Sequence, residues 1–260
     1  MDDYLSDFYA AHDEDARLAS RHGSVEYLTT LRYIRKYLRP GSRILEVGAG
    51  TGRYSLALAR EDYRVSALEL LEHNIEVFRS KLRDGDDIDL RQGNALDLSA
   101  YPDERFDGTL LLGPMYHLYR REDKLRALAE ARRVTKPGGI VMVAYCMNEA
   151  TIMAWGFAGD GSNIMDALEK GMLTEDFHCL STPRDIFEMV RLEDIDGYDR
   201  ESGLTRLEIV ATDLFANYLR GRMDAWSDAV FETYLKYHFT VCARADLVGV
   251  SHHTLDILRR

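Results

Sequence analysis

Apolar side chains recur at helical spacing through residues 26–38, EYLTTLRYIRKYL, and the pattern stops at Pro40-Gly41. That spacing predicts a helix with an abrupt end. A short apolar run, RILEV (43–47), then predicts a buried strand, and RYSLALARE after it a helix. The alternation continues with a strand at YRVSALEL (63–70), a helix at EHNIEVFRSKL (72–82), a strand inside DIDLRQGNAL and another at FDGTLLLG (106–113). DKLRALAEARRV is an amphipathic helix, closed by KPGG (136–139) and followed by a strand at IVMVAYC (140–146). Strand and helix thus alternate from 43 to 146, the pattern of a parallel sheet with helices on both faces.

After 147 the pattern breaks. Residues 148–176 are irregular and glycine-rich, with a short helix predicted near 163–171. STPRDIFEMV offers Thr182 as N-cap and Pro183 at the first helical position, so a helix is predicted to start there. A long strand at GLTRLEIVAT (203–212), a helix at 224–239 and a closing strand at HTLDILRR (253–260) complete the chain. The extra segments are expected to cap the carboxyl edge of the sheet, where open α/β sheets bind ligands. The expected organisation is one domain over 1–260: an N-terminal helical lid (1–40), a core (41–146), then cap insertions and last strands (147–260).

Composition narrows the partners. The chain has 260 residues, 46% of them hydrophobic, enough for one full core. A formal net charge of −11 disfavours attraction to nucleic acid or anionic lipid. The three cysteines, Cys146, Cys179 and Cys242, have no metal-ligand rhythm and suit free thiols in a reducing cytoplasm. The first residues are acidic without an apolar signal core, and no apolar run is long enough to span a bilayer. A cytoplasmic location, no membrane association and no metal are expected.

Candidate chemistry begins at ILEVGAGTG (44–52), which sets Gly48, Gly50 and Gly52 directly after a strand. Three ligands compete for such a loop. A phosphate-binding loop needs a lysine that GAGTGRYS lacks. A dinucleotide loop needs GxGxxG under a pyrophosphate, whereas the spacing here is GxGxG. Glu46 is also out of place beneath a pyrophosphate; it can hold the loop, or bond a cationic ligand through water. The third ligand, S-adenosylmethionine, has no phosphates and asks only for close backbone approach to an amino acid and a ribose.

Here the chain resembles the class I S-adenosylmethionine-dependent methyltransferases, over most of its length. ILEVGAGTG, with Ala49 inside it, resembles their first motif. Glu69, followed by Leu70, matches the acidic residue at the tip of the second strand, and one carboxylate suits two ribose hydroxyls. GNAL, with Asn94 and Ala95, matches the segment that meets adenine, although the family position is usually Asp. FDGTLLLGPMYHL, EARRVTKPGGIVMVAY, LSTPRDIFEMV and the terminal GVSHHTLDILRR resemble later family segments. The resemblance implies a Rossmann-like, doubly wound seven-stranded sheet in the order 3-2-1-4-5-7-6, strand 7 antiparallel, with a helical cap. It implies S-adenosylmethionine as cofactor and S-adenosylhomocysteine as product.

The sulfonium already activates the methyl group, so alignment supplies much of the rate, and a base is needed only for a protonated acceptor. GPMYHL, at the carboxyl end of the fourth strand, is therefore the most informative stretch. Gly113 is expected to let the cofactor pass close to the backbone. Tyr116 and His117 stand where an acceptor would meet the methyl, as candidate catalytic groups. Equally open, His117 bonds a backbone carbonyl at the helix start and Tyr116 packs under the cap. Tyr9, Arg17 and Arg21 of the N-terminal segment are candidate lid contacts to the methionine end or the substrate, against a plain solvated helix. Trp155 is a candidate pocket residue, against a mere anchor of the capping loop. His252-His253 has no third ligand in the sequence and is expected to open the last strand. Residues 215–239 suit either a substrate wall or a homodimer contact.

The expected activity is methyl transfer to an O, N or C nucleophile of a small molecule. RNA or protein methylation, or a non-catalytic S-adenosylmethionine-binding module, are the alternatives. No Asn-Pro-Pro-Tyr-like motif follows the fourth strand, which disfavours base amino groups, and no CxxxCxxC spacing supports radical chemistry.

Overall fold

The computed structural model describes residues 4–12 and 14–260; residues 1–3 and 13 of the expected lid lie outside the described residues. Three helices come first: α1 (Tyr4–Ala11), α2 (Glu14–Ala19) and α3 (Arg21–Tyr37). The alternating core follows with β1 (Arg43–Val47), α4 (Arg53–Ala59), β2 (Arg64–Glu69), α5 (Glu72–Lys81), β3 (Ile88–Gln92), β4 (Phe106–Leu111), α6 (Arg121–Val134) and β5 (Thr135–Met147). Then come α7 (Asn148–Thr151), α8 (Ser162–Glu169), β6 (Met189–Val190), α9 (Leu192–Ser202), β7 (Thr205–Ala211), α10 (Ala216–Met223), α11 (Asp228–Val241) and β8 (His253–Arg259).

The sheet order is β3-β2-β1-β4-β5-β8-β7, with the two-residue β6 paired to the end of β5. β8 runs antiparallel to both its neighbours. Leaving β6 aside, this is the expected 3-2-1-4-5-7-6 order with the last strand reversed. The inner strands are buried on both faces, as a two-sided parallel sheet requires. Alternate residues enter opposite layers. Val141, Val143 and Tyr145 of β5 pack with Ala127, Leu128 and Ala131 of α6. Ile140 and Met142 point the other way and pack with Leu31 and Ile34 of α3.

Three local expectations change. The first long helix begins at Arg21 rather than 26, because the Ser20 side chain caps it by accepting from the Gly23 amide at 3.1 Å. The KPGG segment belongs to β5, whose pairing with β4 shifts register between Phe106 and Gly108. The helix predicted from Thr182-Pro183 is only a turn, Pro183–Asp185, despite its capping box. Ile186 takes φ 66°, which stops the helix, and α9 supplies the late helix instead. The Ile186 carbonyl accepts from both His117 and Tyr119, at 2.8 and 2.6 Å, so the chain turns out of the helix to serve the site.

Candidate functional site

The sheet order reverses between β1 and β4, and a cavity of about 390 Å³ opens at their carboxyl ends. The loop after β1 forms its floor. Gly48 sits at φ 73°, and a Cβ there would come within 2.8 Å of Pro114 Cδ, so glycine is required on two counts. Gly113 lies against the same loop: a Cβ on it would stand 3.2 Å from the Gly48 carbonyl oxygen. Glu69, at the tip of β2, is buried, and its carboxylate accepts from the Gly50 amide at 2.7 Å, the Leu71 amide at 3.0 Å and Asn74 Nδ2 at 3.1 Å. Oε1 takes two of those bonds and Oε2 one, so Oε2 keeps a lone pair beyond them, on a residue that lines the cavity at a rigid strand end.

Glu46 is almost fully buried and accepts from Ser55 Oγ of α4. Burial pushes its pKa up to about 8, so it ties the loop to the helix as a neutral acid at neutral pH while still lining the cavity. Leu70, Asn94 and Ala95 line the same cavity with Gly48, Ala49 and Gly50. The Asn94 side-chain oxygen accepts from the Leu96 amide at 2.9 Å, which fixes the turn after β3. Gly52 is not in the wall; it lets α4 pack against Phe78.

At the other end stand Tyr9 of α1 and His117 of the Pro114–His117 turn, with Tyr9 Oη 2.9 Å from His117 Nε2. His117 Nδ1 lies 2.8 Å from the Ile186 carbonyl, which can only accept. Nδ1 therefore carries the proton, and Nε2 accepts from the Tyr9 hydroxyl. Burial lowers the His117 pKa to about 4, so the ring is neutral throughout the physiological range. Tyr116 donates to the Leu112 carbonyl at 2.9 Å and presents its ring to Phe187 at 5.7 Å. The pair of buried Lys124 and half-buried Glu188, with Glu188 N bonded to Tyr116 O at 2.8 Å, holds the Ile186–Phe187 segment over this corner.

Tyr9, Tyr116, Arg17 and Glu26 also line a second cavity of about 310 Å³. Arg17 pairs with Glu26 at 2.7 Å, and His253 Nδ1 lies 2.9 Å from Asp213 Oδ2 and 3.4 Å from Glu26 Oε2. These carboxylates hold the His253 pKa well above its usual value despite burial. Asp213 is the third partner that the His252-His253 pair lacked in the sequence: one ligand atom from each of the three lies within 4.8 Å of the others.

Two candidate contacts lie elsewhere. Arg21 pairs with Asp228 of α11 at 2.9 Å and lines neither cavity. Trp155 is 50% exposed and lines neither cavity, because the cap around it folds outward with Met153 and Phe157 also exposed. From 215–239, Asn217 and Arg220 reach the second cavity, whereas Trp226, Phe231 and Tyr234 pack around Val25 of α3. Sequence reasoning passed over Glu26, Asn74, Phe187 and Asp213. Only Asn74 had a signal, its place one turn into the helix that follows Glu69.

Residues 45–143 match the family described as "Methyltransferase domain". The chain is 35% identical to the demethylmenaquinone methyltransferase of Lysinibacillus sphaericus over 40% of itself and 44% of that protein. It is 31% identical to the ubiquinone biosynthesis O-methyltransferase of Methylocella silvestris over 72% of itself and 70% of that protein. Several relatives are matched over only 35–63% of their own length. Among solved structures, a possible histamine N-methyltransferase from Thermotoga maritima superposes with TM-score 0.61 at 20% identity, over 99% of each chain.

Proposed function

Since the chain belongs to the class I S-adenosylmethionine-dependent methyltransferases, we propose that it transfers a methyl group to an O, N or C nucleophile of a small molecule. The observation that carries this reading is one cavity bounded by the Gly48–Gly50 loop and Glu69 at one end and by the Tyr9–His117 pair at the other. The donor set fits the cofactor: a cradle that a Cβ at Gly48 would fill, a buried carboxylate facing the cavity, and no lysine for a phosphate. When bound, S-adenosylmethionine supplies an electrophilic methyl that needs no further activation. Glu69 would accept from the ribose hydroxyls. Asn94 and Ala95 would flank adenine, and Gly48, Ala49, Gly50 and Gly113 would let the methionine end lie against the backbone.

Tyr9, Tyr116 and His117 would then orient the acceptor. With its Nδ1–H fixed on Ile186, His117 holds the Tyr9 hydroxyl by its other nitrogen. A pKa near 4 makes His117 a weak base, so its work is positioning rather than deep deprotonation. Residues 4–40 would serve as a lid over residues 41–146, whose strand ends build the cofactor side. The relatives' names, demethylmenaquinone methyltransferase and ubiquinone biosynthesis O-methyltransferase, support a small-molecule acceptor. Among the described residues no helix is long and apolar enough to cross a membrane.

Calorimetry with S-adenosylhomocysteine and with NAD tests the cofactor. Tight binding of the first, weakened about tenfold or more by Glu69→Gln, is expected; preference for NAD overturns the reading. Binding without methyl transfer to any of a panel of small phenols, amines and carbon acids would leave only a binding module.

A further inference from the structure

The second cavity shares the Tyr9 and Tyr116 wall with the first but has its own chemistry. Its charged groups are largely matched in pairs. Glu26 is neutralised by Arg17 at 2.7 Å, and Asp213 by His253 at 2.9 Å. Burial lowers the pKa of His22 and brings that of His252 to about 4, so both rings are neutral near neutral pH. Arg220 is left: it lines the cavity and forms no ion pair among the described residues. One uncompensated positive charge therefore faces the cavity on a chain whose formal net charge is −11.

Part of the lining is aromatic. The Phe8 and Phe187 rings meet edge to face at 5.3 Å, and Tyr116 abuts Phe187 at 5.7 Å. Flat apolar walls beside a single cation suit a ring that carries one anionic group. A cationic acceptor finds no free carboxylate, because both are already paired. A phosphate monoester carries close to two charges, and the cavity offers one to meet them.

Resting on the reading that the first cavity holds S-adenosylmethionine, we propose that the second cavity seats the methyl acceptor and selects a planar molecule with a single carboxylate, Arg220 being the specificity residue that pairs with it. The acceptor's far end would then reach past Tyr9 and Tyr116, which line both cavities, into the first cavity where the methyl lies.

The test is calorimetry on the full chain loaded with S-adenosylhomocysteine, using 3,4-dihydroxybenzoate, its neutral amide and phenyl phosphate. The carboxylate is expected to bind about tenfold or more tightly than the amide, the effect of one charge-assisted contact. Arg220→Gln is expected to erase that difference and Arg220→Lys to keep part of it, with S-adenosylhomocysteine affinity unchanged in both as the check on folding. Equal binding of acid and amide, a preference that survives Arg220→Gln, tighter binding of the phosphate, or no binding of the carboxylate each overturns the proposal. The two readings separate cleanly. Failure of S-adenosylhomocysteine to bind defeats the cofactor assignment, while the acid-over-amide preference is measured equally well on the unloaded protein.

Discussion

His117 makes two hydrogen bonds of opposite sense, giving its Nδ1 proton to Ile186 and receiving the Tyr9 hydroxyl at Nε2. A glutamine can imitate one of these at a time. His117→Gln is expected to cut kcat about a hundredfold while S-adenosylhomocysteine affinity changes little, and Tyr9→Phe to reproduce most of that loss; parallel kinetics and calorimetry check it. A pKa near 4 means that His117 adds no limb to the kcat profile between about pH 5.5 and 8. Its effect on stability has a definite sign. The unfolded imidazole takes a proton first, so the contribution is lost as pH falls from 6.5 toward about 4. Glu46 behaves oppositely. Its folded pKa of about 8 lies above the ordinary 4.5, so its contribution is complete below 4.5 and is lost as pH rises toward 8. Between pH 5 and 8 the wild type is expected to lose on the order of a few kcal/mol relative to Glu46→Gln. Urea melts at the two pH values measure that difference.

At the scale of elements, α1 is the part most open to motion. It has eight residues and none of them is buried, and an isolated helix of that length is unstable in water. Its attachments include the Tyr9 bond to His117, the Phe8 packing on Phe187 and the Arg184 guanidinium over the Tyr4 ring. Such an element opens at low free-energy cost. Filling the cavity beneath it is expected to slow amide exchange across residues 4–19 more than across β1 or β4, as read by hydrogen-exchange mass spectrometry with and without S-adenosylhomocysteine. Removing residues 1–22 is expected to raise the S-adenosylhomocysteine dissociation constant. Since that deletion also strips Arg17 from Glu26, the pair Phe8→Ala and Tyr9→Phe isolates the lid contacts. Equal affinity in all three proteins would count against a lid.

For the molecule as a whole, both cavities depend on where the sheet places its loops. β1 and β4 diverge at their carboxyl ends, so the glycine loop and the Pro114–His117 turn face each other across the first cavity. The antiparallel β8 brings His252 and His253 to the same edge, beside Asp213 at the end of β7. α3 then delivers Glu26 from the opposite end of the chain. Each cavity thus combines N-terminal helices with residues from the later half of the sequence.

The alternating core is legible in the chain, as is the strand order through its resemblance, and so are the glycine loop, Glu69 and Gly113 that line the first cavity. Those features are local: Gly48, Glu69 and Gly113 each end a strand whose apolar run is visible in the chain. Which side chains meet depends instead on packing between distant segments. Tyr9 and His117 are 108 positions apart, and Asp213 and His253 are 40 apart; no periodicity within one element encodes such pairings. The same applies to the misplaced helix after Thr182. Its cap and proline are sound local signals, but Ile186 takes φ 66° and its carbonyl accepts from His117 and Tyr119, two donors of one segment 69 and 67 positions away. Local propensity is set by neighbours within a few residues, whereas the second cavity and its free arginine exist only once the two ends of the chain pack together.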